Sequence, residues 1–223
     1  MKKIAICLTI LGFAGNIFAQ NVNVDIASER GLMSKSASKK IIADGSPYIS
    51  EAFSTIKIAQ FKDQVFTGRY NAYNDEMEVR LPDGKIVALD NKADYSVTFT
   101  GENKTYKTAS YITDNGTAKN GFLVVINSSD KYAVLKREYI KYYDKVPAVS
   151  SYQQDKAASF KREDDSYYAE INGKITPISQ KKKTFLKAFP EQAGDLKTFI
   201  KKNKINLKKE ADLMKTIKYL STL

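Results

Sequence analysis

Residues 77–89 predict a β-hairpin, and they read Met77-Glu78-Val79-Arg80-Leu81-Pro82-Asp83-Gly84-Lys85-Ile86-Val87-Ala88-Leu89. Pro82 presets φ for the first corner of a tight reversal, and Gly84 tolerates the positive φ that such turns need. The flanking runs are rich in β-branched and other apolar residues, which favour strands. The basic unit of this fold is therefore expected to be an antiparallel strand pair.

A second hairpin is predicted at Asn172-Gly173, because type I′ turns need positive φ at both central residues. Throughout 48–178, short segments rich in Val, Ile, Thr, Phe and Tyr alternate with turn residues, which is typical of antiparallel sheets. Pro177 confines its strand to a sheet edge, whereas 121–126 has the composition of a buried central strand. Residues 142–157 are interpreted as a connection. The predicted strands cover 54–59, 64–71, 76–81, 85–89, 94–99, 105–112, 121–127, 131–137, 158–162, 165–171 and 174–178.

After Ser179 the spacing of apolar residues changes from the strand period to the helical one. Three short amphipathic helices are predicted, with Ser179 capping the first, Pro190-Glu191 opening the second and Asn206 capping the third. The sequence therefore predicts an α+β protein. Its mainly antiparallel sheet over 48–178 is barrel-like or a sandwich, and a Lys-rich helical segment over 179–223 packs on it.

The first 19 residues have the layout of a secretory signal peptide: Lys2 and Lys3, an apolar run, and Ala19 before the expected cleavage point. The apolar run is shorter than the roughly 20 residues that a membrane-spanning helix needs. We therefore expect an exported chain, periplasmic, outer-membrane-associated or extracellular, with no transmembrane segment after cleavage. Residues 20–47 are expected to form a loosely ordered lead-in.

The absent residue types exclude several kinds of chemistry. The chain has no His, no Trp and one Cys, and that residue, Cys7, lies inside the predicted signal peptide. After cleavage the chain would form no disulfide, no thiolate or imidazole metal site and no Ser-His-Asp or cysteine active site. We therefore expect no catalytic residue, no metal and no cofactor.

The positive charge is concentrated at one end of the chain. The formal net charge is +11, but residues 20–173 carry 21 basic and 21 acidic side chains, whereas 174–223 carry 13 Lys, no Arg and four acidic residues. Lys is a hydrated point charge and lacks the bidentate fork of Arg, which favours diffuse attraction over specific recognition.

Two interpretations of this charge remain open. It is either a solvated helix surface that keeps the protein soluble, or a contact for an acidic protein face, an anionic polysaccharide or lipid headgroups of the envelope. A nucleic-acid partner is not expected, because no binding motif is present. The predicted partner-binding residues are Lys181, Lys182, Lys183, Lys187, Lys201, Lys202, Lys208 and Lys209.

A polar cluster is predicted at the end of one hairpin, and it consists of Arg69, Tyr70, Tyr73, Asp75, Glu76, Glu78 and Arg80. Glu76 and Glu78 share a strand face, and paired carboxylates are what glycoside hydrolysis needs. The favoured interpretation is structural: Asn and Asp build the turn, and Glu/Arg pairs lie on the solvent side of the sheet.

Three segments resemble a family of exported proteins widespread in flavobacteria and their relatives. They are Gly45-Ser46-Pro47-Tyr48-Ile49-Ser50-Glu51-Ala52-Phe53, Arg69-Tyr70-Asn71-Ala72-Tyr73-Asn74-Asp75-Glu76-Met77-Glu78-Val79 and Phe199-Ile200-Lys201-Lys202-Asn203-Lys204. The resemblance covers most of the mature chain. It implies export, a Gram-negative envelope setting and one shared architecture. Because that family has no assigned activity, the resemblance implies no functional residue.

These observations favour a non-enzymatic binding or scaffold protein of the bacterial cell envelope, which engages an anionic or protein partner through its sheet and Lys-rich tail. One alternative is a carboxylate-dependent glycan hydrolase that uses Asp75, Glu76 or Glu78. Another is a small-ligand carrier inside a β-barrel, which needs a cavity on the order of hundreds of Å³.

Overall fold

The computed structural model describes residues 35–61, 64–113, 115–148, 152 and 154–223. The predicted signal peptide and the lead-in before Lys35 lie outside the described residues. Within them the chain forms thirteen strands and three helices. The strands are β1 Lys35–Ser36, β2 Ser54–Ile58, β3 Phe66–Asn71, β4 Glu76–Arg80, β5 Ile86–Ala88, β6 Ser96–Phe99, β7 Lys104–Ile112, β8 Ala118–Ser128, β9 Tyr132–Arg137, β10 Ile140–Tyr143, β11 Ser159–Arg162, β12 Ser166–Ile171 and β13 Lys174–Ile178.

Eleven of these strands form one open antiparallel sheet in the order β1-β5-β4-β3-β2-β6-β7-β8-β9-β12-β13, and β10 pairs with β11 in a separate hairpin. The prediction of an α+β protein with a mainly antiparallel sheet is confirmed. The sheet curls like a sandwich and does not close. The carrier alternative assumed a barrel interior, and this open sheet does not enclose one.

Both predicted turns are present. Gly84 takes a φ of +84° where β4 turns into β5, and Asn172 and Gly173 take φ values of +49° and +78° between β12 and β13. Pro177 lies in β13, which is the last strand of the sheet, so its missing N–H removes no bond from a central ladder. Local turn chemistry thus sets the register of both hairpins.

The two faces of the sheet pack into different hydrophobic cores. On β8, Phe122 and Val124 belong to a large core shared by β2–β7 and the β10–β11 hairpin, while Leu123 points into a smaller core with Leu135 and Tyr168. Strand β13 also contacts β7, so the second half of the sheet curls around the smaller core. The sequence 121–126 is therefore a buried central strand, as predicted.

The helices are α1 Lys182–Ala188, α2 Ala193–Lys202 and α3 Glu210–Leu220. They cover the outer face of β9, β12 and β13, and Phe185, Leu196 and Ile217 are buried there. None of the helices in the described part of the chain is long and apolar enough to cross a membrane.

The predicted helix starts need correction. The Ser179 hydroxyl accepts a hydrogen bond from the N–H of Lys181, so it closes a turn ahead of α1 without being its N-cap. Pro190 and Glu191 form the turn before α2. The Asn206 side chain bonds the N–H of Lys208, and α3 begins only at Glu210. A turn therefore precedes each helix, closed by a side chain before α1 and α3 and by the Pro190 carbonyl before α2.

All eleven predicted strands are present, whereas β1 and β10 were not predicted. Residues 142–157, interpreted as a connection, begin inside β10, and the hairpin continues where Val146 and Lys156 exchange backbone hydrogen bonds of 3.0 and 2.9 Å. The prediction failed because Pro147 and the polar residues after it favour turns and obscure the short alternation of Ile140 and Tyr142.

Candidate functional site

The carboxylates of the polar hairpin cluster are buried. Asp75, Glu76 and Glu78 are 2%, 3% and 1% exposed, so the prediction that Glu76 and Glu78 lie on the solvent side of the sheet is wrong. The segment 37–53 passes over Glu76 and Glu78, and β8 passes beside Asp75. The cluster therefore divides into separate centres, each with its own partners.

Arg69 and Glu78 form the first centre, at directly paired positions of β3 and β4. The Arg69 Nε lies 2.8 Å from Glu78 Oε2, and Tyr48 Oη donates to Glu78 Oε1 at 3.1 Å. Arg69 also donates to Tyr48 Oη at 2.6 Å and to the Glu51 carbonyl at 3.1 Å. Burial and the Glu78 charge raise the pKa of Tyr48 to about 12, so this hydroxyl is a hydrogen-bond donor at neutral pH.

Aromatic rings cover the arginines of this centre. The Arg69 guanidinium lies 3.7 Å from the centroid of the Tyr48 ring and 4.4 Å from that of Phe53. Arg80 is exposed, and its guanidinium lies 4.0 Å from the centroid of the same Phe53 ring. These contacts fasten the segment that contains Tyr48 and Phe53 to the face of β3 and β4.

Glu76 has a different neighbour. Its carboxylate accepts hydrogen bonds from the backbone N–H and the hydroxyl of Ser38, at 3.2 and 3.0 Å. The same segment therefore touches β4 at two points, at Glu76 through Ser38 and at Glu78 through Tyr48.

Asp75 forms the second centre, in the turn between β3 and β4, with a φ of +58°. Its carboxylate accepts from Tyr70 Oη at 2.8 Å and from the Phe122 N–H at 2.9 Å, and it lies 3.0 Å from Lys119 Nζ. Strand β9 pairs with β8 only from Val124 onward. The Asp75 carboxylate thus accepts the hydrogen bond of the Phe122 N–H at a position where β8 has no partner in β9. Burial, followed by the Asp75 charge, raises the pKa of Tyr70 well above its ordinary value.

A cleft of about 770 Å³ lies beside the first centre. One wall is the segment 37–48, and the other includes Arg69, Asn71, Tyr73 and Glu78. Tyr73 packs against Phe160 with ring centroids 5.2 Å apart. Of the three cluster carboxylates, only that of Glu78 lines this cleft in the described part of the chain, and it is held by Arg69. Glu51 is a second carboxylate on the wall.

The structure therefore does not bring the predicted carboxylates together as an acid–base pair. Asp75 faces β8, Glu76 faces Ser38, and Glu78 is bound by Arg69 and Tyr48. Among the described residues, no group of three or more carboxylates is placed to hold a metal ion.

The eight predicted partner-binding lysines are all exposed on and around the helices. Within the described ranges, none of their ammonium groups lies within 4 Å of a carboxylate; the ion pairs of the helical segment involve Glu210 with Lys136 and Asp212 with Lys215. The lysines of the helical segment outnumber its carboxylates, so the helices present a surface with an excess of positive charge.

Tyr48, Asn71 and Ser38 belong to the site but were not singled out as functional from the sequence. Tyr48 did lie in a segment that carries the family resemblance, and the structure shows this segment in contact with the second such segment, through Arg69 and Glu78. The family resemblance of both segments was therefore the feature of the sequence that could have identified Tyr48.

Comparison of the chain with protein-family models, with curated proteins and with solved structures gave no match in any of the three. A functional conclusion therefore depends on the geometry and charge of this chain alone.

Proposed function

We propose that this chain is a non-enzymatic binding protein of the bacterial cell envelope, and that its helical segment contacts an anionic partner. The observation that supports the proposal most strongly is the exposed set of eight lysines without ion-pair partners in the described structure. Exposed ammonium groups attract anionic surfaces within about a Debye length, roughly 8 Å at physiological salt. The envelope setting is an expectation that rests on the predicted signal peptide together with the resemblance to exported flavobacterial proteins.

The lysines have a fixed arrangement relative to the sheet. Phe185, Leu196 and Leu213 are buried beneath the three helices, and the rings of Phe199 and Tyr219 stack at 4.2 Å between α2 and α3. A charged surface on packed helices loses little conformational freedom when it binds, in contrast to a disordered basic tail.

The state of the hairpin carboxylates supports a binding role over hydrolysis. A glycosidase needs two carboxyl groups that face the same substrate, about 5 to 10 Å apart. Here Asp75 and Glu76 are buried against protein partners and Glu78 is paired with Arg69. These contacts stabilise the fold and turn the three carboxyl groups toward separate protein partners.

The test is binding of the full mature chain to Gram-negative envelope membranes at low salt. We expect a variant with all eight lysines changed to Gln to bind at least about tenfold more weakly, because the attraction depends on their charge. The control changes four exposed sheet-domain lysines, Lys57, Lys85, Lys92 and Lys131, to Gln and should bind as the unmodified chain does. An equal loss of membrane binding in both variants would refute the proposal.

Removing residues 180–223 is not a suitable test. The helices bury Phe185, Leu196 and Ile217 against β9, β12 and β13, so their deletion would expose an apolar sheet face and create non-specific binding. Substitution of exposed charges leaves that core intact.

A further inference from the structure

We propose that the cleft beside the first centre binds an extended acidic peptide of a partner protein, which pairs as a strand with residues 39–43. This site is separate from the lysine-rich helices and does not depend on the function proposed for them. Peptide binding is supported by the unpaired main chain along one wall of the cleft and by the polar side chains of the other wall.

The wall formed by residues 37–43 is an extended segment. It contains no helix, turn or bend, and strand pairing holds the chain at both of its ends. At one end Ser36 pairs with Val87 of β5, and at the other the Asp44 N–H donates to the Ala158 carbonyl at 2.9 Å. The segment therefore runs along the cleft as a strand that is fixed at each end.

The main chain of residues 39–43 has no strand partner. None of its N–H or carbonyl groups forms a hydrogen bond with another residue in the described part of the chain. An unpaired strand edge is a template for a further strand, and an extended peptide that adds to it gains main-chain hydrogen bonds. The donors and acceptors of such an edge repeat every two residues, about 7 Å, which is the repeat of an extended peptide and not of a saccharide chain.

The opposite wall contains a buried donor. Asn71 is 3% exposed, and its Oδ1 accepts a hydrogen bond from the Asn74 N–H at 3.0 Å. Among the described residues, its Nδ2 donates only to Glu78 Oε1, at the long distance of 3.5 Å. An amide Nδ2 carries two N–H groups, so one of them lacks an acceptor there. A buried donor without an acceptor is costly, and a peptide oxygen in the cleft would satisfy it.

Charge favours an acidic peptide. Lys39 and Lys40 are exposed on the extended wall, and neither forms an ion pair in the described structure. On the other wall Glu78 is paired with Arg69, which leaves Glu51 as the one cleft carboxylate without an ion-pair partner among the described residues. Two unpaired lysines against one unpaired carboxylate give the cleft a positive excess that complements Asp or Glu side chains.

The probe is a library of random heptapeptides displayed on phage and selected on the full mature chain. We expect the retained peptides to be enriched in acidic and β-branched residues. The peptide that binds most tightly is synthesised with a fluorescein label and titrated by anisotropy. It should bind the variant with eight helical lysines changed to Gln as it binds the unmodified chain, whereas Lys39→Gln with Lys40→Gln should weaken binding about tenfold.

Proline variants test the main-chain pairing. Ile41→Pro and Ile42→Pro each remove one N–H that has no acceptor in the described structure, so both should keep the urea stability of the unmodified chain. Because neighbouring N–H groups of a strand point to opposite sides, only one of the two should weaken peptide binding, by about tenfold. Each is compared with the alanine variant at its position, which removes the side chain and keeps the N–H.

Three results would overturn peptide pairing in the cleft. The first is that no heptapeptide is retained above background. The second is an equal effect of the two proline variants, which would indicate contact through side chains alone, as with a saccharide. The third is loss of peptide binding in the variant without the eight helical lysines, which would place the peptide on the helices.

Discussion

At the scale of single residues, Asp75 and Gly121 depend on each other. A Cβ on Gly121 would lie 2.0 Å from Asp75 Oδ2, so only glycine allows the carboxylate to reach the Phe122 N–H. We expect Gly121→Ala to lower the free energy of unfolding by about 2 kcal/mol, because the carboxylate must move from its buried partners. Urea denaturation measures this cost.

The control for that prediction is Gly101→Ala. A Cβ at Gly101 meets no atom within 4 Å, so its effect should stay within about 0.5 kcal/mol. If the two alanine variants had the same stability, Asp75 would not be held in the manner described.

The centre around Glu78 leads to a second prediction. Glu78→Gln removes the charge that balances Arg69, whose side chain is 19% exposed, and we expect a loss of about 3 kcal/mol. Tyr48→Phe removes one hydroxyl but keeps the ring against Arg69, and should cost about 1 kcal/mol. Unfolding midpoints in urea distinguish these values. A cost for Glu78→Gln no larger than that of Tyr48→Phe would show that the ion pair adds nothing.

At the scale of elements, Glu210 connects the start of α3 to the sheet. Its Oε1 accepts from Tyr167 Oη at 2.8 Å and from Lys136 Nζ at 3.0 Å. Burial raises the pKa of Glu210, but the bonds from Tyr167 and Lys136 outweigh this and lower its pKa below 4.5. The stabilisation is therefore present above pH 4.5 and is lost as the pH falls through the lower pKa of the folded state.

We expect Glu210→Gln to destabilise the protein by about 1 kcal/mol near pH 7, a modest value because the carboxylate is 40% exposed. At a pH below the folded-state pKa of Glu210 the difference between the variant and the unmodified chain should shrink, since the carboxylate then binds a proton and loses its charge. Denaturation at both pH values measures this difference in stability. A difference that is the same at both would contradict the role of the Glu210 charge.

Sequence periodicity and turn chemistry predict most elements but not their long-range partners. Asn172-Gly173 dictates its own hairpin, because the positive φ values are a local requirement. Nothing local predicts that Ser38 bonds Glu76, 38 residues away, or that β2 pairs with both β3 and β6. The polar hairpin cluster is predictable because its residues are close together in the sequence. Its burial is not predictable, because the segment that covers it comes from elsewhere in the chain.

At the scale of the whole molecule, charge and packing are divided between two regions. The sheet domain neutralises many of its own charges, as in the Arg69–Glu78, Lys104–Glu138 and Lys107–Glu170 pairs. The helices use their apolar faces for packing on β9, β12 and β13 and present lysines to solvent. This division separates the part that stabilises the fold from the surface that we assign to an anionic partner.

The most direct measurement is the salt dependence of envelope-membrane binding for two versions of the eight helical lysines, all changed to Gln or all changed to Arg. If diffuse positive charge carries the binding, the Arg version should bind as the unmodified chain does and weaken equally as salt is added, because screening acts on charge whatever its donor geometry. The Gln version should bind weakly and respond little to salt. A Gln version that retained both the affinity and the salt dependence of the unmodified chain would contradict the proposed function.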